Sequence, residues 1–115
     1  MLFQRGDFKL ASGIESKWKI ECDALTWEEW EALALMISER CEPFGIVVGV
    51  PRGGNKLAEC LKPYSTSQNK TRLLVDDVWT TGGSVQKCLL PGDQVWVAFA
   101  RGPLHNGARA LFRMD

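Results

Sequence analysis

The sequence carries no net charge. Its 14 Lys and Arg balance 14 Asp and Glu, so no long-range field draws it to nucleic acid or to an anionic membrane. Anions can be held only at local sites built from backbone and a few side chains. There is no Cys-x-x-Cys. Cys22, Cys41, Cys60 and Cys88 are widely spaced, which argues against a metal cluster or a redox pair. Free thiols in a reducing cytoplasm are the expectation. No apolar run approaches the ~20 residues that span a bilayer. Met1-Leu2-Phe3-Gln4-Arg5 turns polar too soon for a signal peptide. Repeats, low-complexity tracts and linkers are also missing. The one histidine, His105, sits in Leu104-His105-Asn106-Gly107 and reads as a turn residue. No nucleophile–base pair is evident.

What is there fits one globular domain. The chain has 115 residues, 45% hydrophobic and 24% charged, enough for one core. Phe8 to Ile20 reads as two short strands around a Ser12-Gly13 turn. Thr26 opens a helix, and Glu29 completes a capping box. Trp30, Leu33, Ala34, Ile37 and Cys41 form its apolar face. Trp27, Leu35 and Met36 lie off that face and offer a dimer contact. Most of the five tryptophans are expected to pack in the core or at an interface. Trp79 is set apart from them by its place in a loop.

Gly45 to Val50 is an apolar, β-branched run, the mark of a strand covered on both faces. Pro51-Arg52-Gly53-Gly54 breaks it, and Asn55 to Leu61 continues as a helix. Leu73-Leu74-Val75 is a second buried strand, Ser84 to Leu89 a helix, and Val95 to Ala100 a third strand. Strand, glycine loop and helix thus occur twice. This order predicts a parallel sheet with right-handed crossovers, both glycine loops lying beyond the carboxyl ends of strands.

The second loop, Asp76-Asp77-Val78-Trp79-Thr80-Thr81-Gly82-Gly83-Ser84, carries the chemistry. Gly82 and Gly83 let a ligand approach main-chain N–H groups. Thr80, Thr81 and Ser84 add hydroxyls, and the following helix start favours an anion. Asp76 and Asp77 repel phosphate and suit hydroxyls or hydrated Mg²⁺ instead. Phosphate donors beside diol acceptors match a sugar phosphate. In the first loop, Arg52 is a fork suited to phosphate oxygens.

Leu73 to Ser84 resembles the phosphoribosyl pyrophosphate (PRPP) motif of type I phosphoribosyltransferases, with Arg72 and Trp79 departing from its usual aliphatic positions. The resemblance implies a single-domain α/β fold with a mostly parallel sheet flanked by helices. It divides the chain into an N-terminal hairpin hood over 1–25 and a core over 26–115. Asp76 and Asp77 would serve as catalytic residues that hold the ribose hydroxyls and Mg²⁺ through water. Val78, Thr80, Thr81, Gly82, Gly83 and Ser84 would bind substrate, with the 5-phosphate on Thr80 to Ser84. Val50-Pro51-Arg52-Gly53-Gly54 is similar to the family's pyrophosphate loop, which makes Arg52 catalytic and Gly53 and Gly54 substrate-binding. Gly6 to Gly13 followed by Ser16 resembles the hood of orotate phosphoribosyltransferases and brings Lys9 to the substrate. Ala100-Arg101-Gly102 lies where that branch has a base-contacting arginine.

The implied reaction transfers ribose 5-phosphate from PRPP to a pyrimidine-like base, releasing pyrophosphate, as in pyrimidine nucleotide synthesis. It asks for positioning and electrostatics more than acid–base chemistry. The implied assembly is a cytoplasmic homodimer acting on small molecules, without nucleic acid or membrane. Between Leu61 and Leu73, however, the orotate enzymes have an additional strand and a long mobile loop. Eleven residues leave no room for them here. The chain looks like a shortened version of the fold. That departure keeps open a second reading, a module that binds PRPP or a nucleotide without turnover, and a third, a scaffold that only inherited the fold.

Overall fold

The computed structural model describes residues 1–10 and 13–114. It opens with an antiparallel hairpin, β1 (Phe3–Lys9) against β2 (Glu15–Ile20), with a register shift between Arg5 and Phe8. The hairpin starts five residues earlier than its sequence pattern suggests, because Phe3 to Arg5 pair with Trp18 to Ile20. Residue 12 of the expected turn lies outside the described residues.

A 3-10 turn at Cys22–Ala24 leads to α1 (Trp27–Arg40). Thr26 Oγ1 accepts from the Glu29 N–H at 3.1 Å, and Glu29 Oε1 accepts from the Thr26 N–H at 2.9 Å. This reciprocal cap contributes about 1 kcal/mol. Trp30, Leu33, Ala34 and Ile37 are buried, as the spacing predicts. Trp27 and Leu35 are exposed, but Met36 packs against the core and is not part of an outer face.

The core sheet has four parallel strands in the order β3 (Ile46–Gly49), β4 (Arg72–Trp79), β5 (Gln94–Ala100), β6 (Arg109–Arg113). Two helices join the first three strands: α2 (Asn55–Leu61) and α3 (Gly83–Cys88). Three strand expectations change. β3 is an edge strand, and Ile46 is 54% exposed, so its apolar run is not covered on both sides. β4 runs on through Asp76-Asp77-Val78-Trp79, because Val78 and Trp79 still pair with Phe99 and Ala100 of β5. β6 lies in a stretch whose arginines hid it. Its Ala110 and Phe112 pair with Val97 and Phe99.

Alternation along β4 and β5 splits the core in two. Leu73, Val75 and Trp96 face α1 and α2, while Leu74, Val95 and Val97 face Val85 of α3. Fully burying a side chain of this size stabilises the fold by roughly 1.5–3 kcal/mol. Both connections step the same way across the sheet, yet α2 and α3 sit on opposite faces. Two such crossovers have opposite hands, so the expectation of right-handed connections fails at one of them. The short segment after α2 accounts for this. A further strand beyond β3 would reverse the first step and restore the usual hand. Here the chain passes from a 3-10 turn at Lys62–Tyr64 through a loop straight into β4.

Arg72 takes an aliphatic position in the motif for a structural reason. Its Nε and Nη2 donate to the two oxygens of Asp93 at 2.9 and 2.7 Å, and Nη2 also donates to the Cys88 carbonyl. The pair ties the start of β4 to the turn before β5. The Arg72 guanidinium holds the Asp93 carboxyl below the usual carboxylate range.

Candidate functional site

A cleft of about 630 Å³ lies between the hairpin and the carboxyl ends of the core strands. The end of β4 and the loop after it, Asp76 to Val85, form its floor. Pro51 and Gly53 form one wall, and Asp7 to Leu10 with Lys19 and Ile20 form the roof. The two glycine loops therefore meet at one site.

The floor is held by its acceptors. Thr81 O accepts from His105 Nε2 at 3.0 Å, and Gly82 O accepts from the Gln86 N–H at 2.9 Å. Among the described residues, no protein group accepts from the backbone N–H of Thr80, Thr81, Gly82, Gly83 or Ser84. Gly82 has φ +86°, a left-handed conformation in which a Cβ would also lie 2.6 Å from Trp79 Cη2. Five consecutive donors without protein partners, in a loop that lines a cleft, leave the kind of donor-rich concavity that can accept an anion. α3 spans six residues, so these amides and hydroxyls matter more than any helix dipole.

Asp76 and Asp77 line the same cleft with unlike environments. Asp76 is 5% exposed. Burial, then its hydrogen bond to Asp77 and the Asp77 charge, raise its pKa to about 8. One Asp76 oxygen accepts from the Asp77 N–H at 2.8 Å. Asp77 is less buried and accepts from the Val78 N–H at 2.7 Å. Its carboxylate lies flush against the backbone of Gly53, where a Cβ would come 2.6 Å from Asp77 Cγ. Gly53 thus makes room for the acid that the second loop supplies. Behind them, burial first and the neighbouring Asp77 charge second push the Cys22 thiol pKa upward.

The structure brings most of the expected residues together. Asp76, Asp77, Val78, Thr80, Thr81, Gly82, Gly83, Ser84, Gly53, Lys9 and Arg101 all line the cleft. Arg52 and Gly54 do not. Arg52 is exposed beside the rim, and Gly54 is buried behind it, where a Cβ would strike the Val50 backbone. Arg101 is not free for a ligand alone. Its Nη2 donates to Ser16 Oγ at 2.9 Å and its Nη1 to Trp18 O at 3.2 Å, while its guanidinium stacks 3.4 Å above the Trp18 ring. It holds the hairpin over the cleft. Trp79 is 2% exposed and donates from Nε1 to Pro103 O at 3.1 Å, so it is a core residue beneath the loop.

Lys19 and Lys87 also line the cleft, and neither stands out in the sequence. Lys87 stands one helical turn after Ser84, a spacing that signals a shared face. Lys19 lies 4.8 Å over the Phe8 ring and pairs with Glu21 at 3.2 Å. Its placement depends on the hairpin register, which no local pattern encodes. Among the described residues, no three His, Cys, Asp or Glu side chains gather as a metal cage. A cation at this cleft would have to keep most of its water and take its other oxygens from a ligand, because Asp76 and Asp77 are the acidic side chains beside the loop. No helix among the described residues is long and apolar enough to cross a membrane.

No protein-family model and no curated protein matches the sequence. Solved structures do. Orotate phosphoribosyltransferase from Aeropyrum pernix superposes with a TM-score of 0.73 at 23% identity, covering 97% of this chain and 88% of that one. UMP synthase from Leishmania donovani gives 0.70 at 12%, covering 98% of this chain and 34% of that one. The Francisella tularensis orotate phosphoribosyltransferase gives 0.62 at 15%, covering 97% and 80%. The chain therefore has the fold of the orotate phosphoribosyltransferases, the type I phosphoribosyltransferase fold.

Proposed function

We propose that the protein is a phosphoribosyltransferase that moves ribose 5-phosphate from PRPP to a pyrimidine-like base of the orotate kind. One observation carries the reading: the five unpaired amides of Thr80 to Ser84 and the carboxylates of Asp76 and Asp77 line a single cleft. The spacing suits a ligand that is phosphate at one end and diol at the other.

In this reading the Thr80–Ser84 amides and hydroxyls hold the 5-phosphate. Asp77, charged, accepts from the ribose hydroxyls. Asp76, protonated near neutral pH, donates a hydrogen bond without adding a second charge. Gly53 leaves the backbone open beside Asp77, and Arg52 at the rim answers the pyrophosphate charge. Lys9 and Arg101 border the base. The ring nitrogen of the base forms a bond to ribose C1, and the C1–O bond to pyrophosphate breaks, its electron pair leaving with pyrophosphate. The proton on that nitrogen, where there is one, passes to solvent. Mg²⁺ would be held through water by the Asp77 carboxylate and by the carbonyl oxygen of the neutral Asp76 carboxyl, and would supply charge neutralisation for the leaving group. The exposed Trp27 and Leu35 of α1 support a homodimer.

The test is incubation with PRPP, Mg²⁺ and a panel of pyrimidine and purine bases, following pyrophosphate release. Release with one base supports the proposal, and silence across the panel with folded protein overturns it. The short connection from α2 to β4 favours a second reading, a binding module without turnover, since mobile lids exclude water and complete the charge cage. Calorimetry separates the two: the module binds PRPP or a nucleoside monophosphate and forms no product.

A further inference from the structure

We propose that His105 is a positioning residue that presets the anion loop, and that the β5–β6 connection is therefore part of the binding apparatus. The inference rests on the phosphate reading of that loop and extends it to a segment outside the motif.

A loop that keeps five amides free cannot be ordered by those amides. It has to be held from its carbonyl side. The structure does this from the β5–β6 connection and from α3. Trp79 O accepts from the Arg101 N–H at 2.7 Å, Thr81 O accepts from His105 Nε2 at 3.0 Å, and Gly82 O accepts from the Gln86 N–H at 2.9 Å. A carbonyl can only accept, so the neutral His105 ring carries its proton on Nε2. The ring also packs edge-on against Trp79, with centroids 4.9 Å apart. Trp79 in turn donates to Pro103 O and lies against Gly82. Asn106, next to His105, donates to Gln86 Oε1 at 2.9 Å and fastens the same turn to α3. Trp79 replaces the aliphatic residue usual in the motif. The 103–106 turn packs on its ring and so reaches the loop from below.

Three measurements test this on the intact chain. In ligand-free protein at pH 8, a long-range ¹H–¹⁵N spectrum of the imidazole should show the Nε2–H tautomer; the Nδ1–H tautomer overturns the proposal. Amide order parameters for Thr80 to Ser84 should be about 0.85 in the wild type and fall below about 0.6 in His105→Ala. His105→Gln keeps a donor and should restore them. Unchanged order parameters in His105→Ala overturn the proposal. PRPP affinity by calorimetry should drop about fivefold to tenfold in His105→Ala and return in His105→Gln. If wild-type protein binds neither PRPP nor inorganic phosphate, the functional reading fails, and the tautomer and order parameters still decide the role of His105.

Discussion

Replacing Asp76 by Asn should stabilise the protein by an amount that grows with pH. Burial and the neighbouring Asp77 raise the Asp76 pKa from 3.8 to about 8. The folded protein keeps this proton across a range in which the unfolded chain has released it. The native state thus binds more protons between about pH 4 and pH 8, and stability falls as pH rises through that window. The contribution is fully present below the unfolded pKa and gone above the folded one. A tenfold difference in proton affinity between the two states corresponds to about 1.4 kcal/mol, so pH 7 carries a ceiling of about 4 kcal/mol. A proton shared within the Asp76–Asp77 pair lowers this to roughly 2 kcal/mol. Asn keeps an oxygen for the Asp77 N–H, which lies 2.8 Å from Asp76 Oδ1, and stays neutral at every pH. Urea unfolding of both proteins from pH 4 to 8.5 measures the difference. It should be near zero at pH 4 and about 2–4 kcal/mol in favour of Asp76→Asn at pH 7. A difference that is flat with pH would refute the claim that folded Asp76 holds its proton.

Gly53→Ala should displace the Asp77 carboxylate, since the new Cβ would come 2.6 Å from Asp77 Cγ. PRPP affinity by calorimetry should fall at least tenfold, by about 1.4 kcal/mol or more, while thermal unfolding changes little; intact affinity argues against the seat. Arg101→Ala removes two hydrogen bonds and the stack on Trp18. Hairpin amides should exchange about ten times faster, and Arg101→Lys should not rescue them, because an ammonium lacks the planar fork; unchanged exchange would mean that the hairpin is seated by other contacts. Arg72→Ala takes the guanidinium from Asp93, whose side chain is 2% exposed and keeps only the Leu90 N–H. It should cost about 1–3 kcal/mol at neutral pH and less on acidification, because Arg72 keeps the Asp93 pKa low. Denaturation at pH 7 and pH 4 checks the sign, and a larger loss at pH 4 contradicts it.

The sequence by itself determined the elements whose signals are local. The Thr26–Glu29 cap, the apolar face through Ile37 and the buried Leu73-Leu74-Val75 run all stand in the structure. So does the meeting of both glycine loops at one cleft, because alternating strands and helices bring strand ends to one edge. Tertiary structure alone decided what depends on pairing between distant residues. β6 exists because Ala110 and Phe112 find Val97 and Phe99, not because of its own pattern. Trp79 became core once the 103–106 turn closed under it, and Arg101 became a clasp once Trp18 lay beneath its guanidinium. The raised pKa of Asp76 follows from burial, which the sequence leaves open, since the same Asp-Asp pair at an exposed strand end would ionise freely. Residue order sets the periodicity and the backbone freedom of each segment, while contacts between segments set burial, charge state and the partner each donor finds.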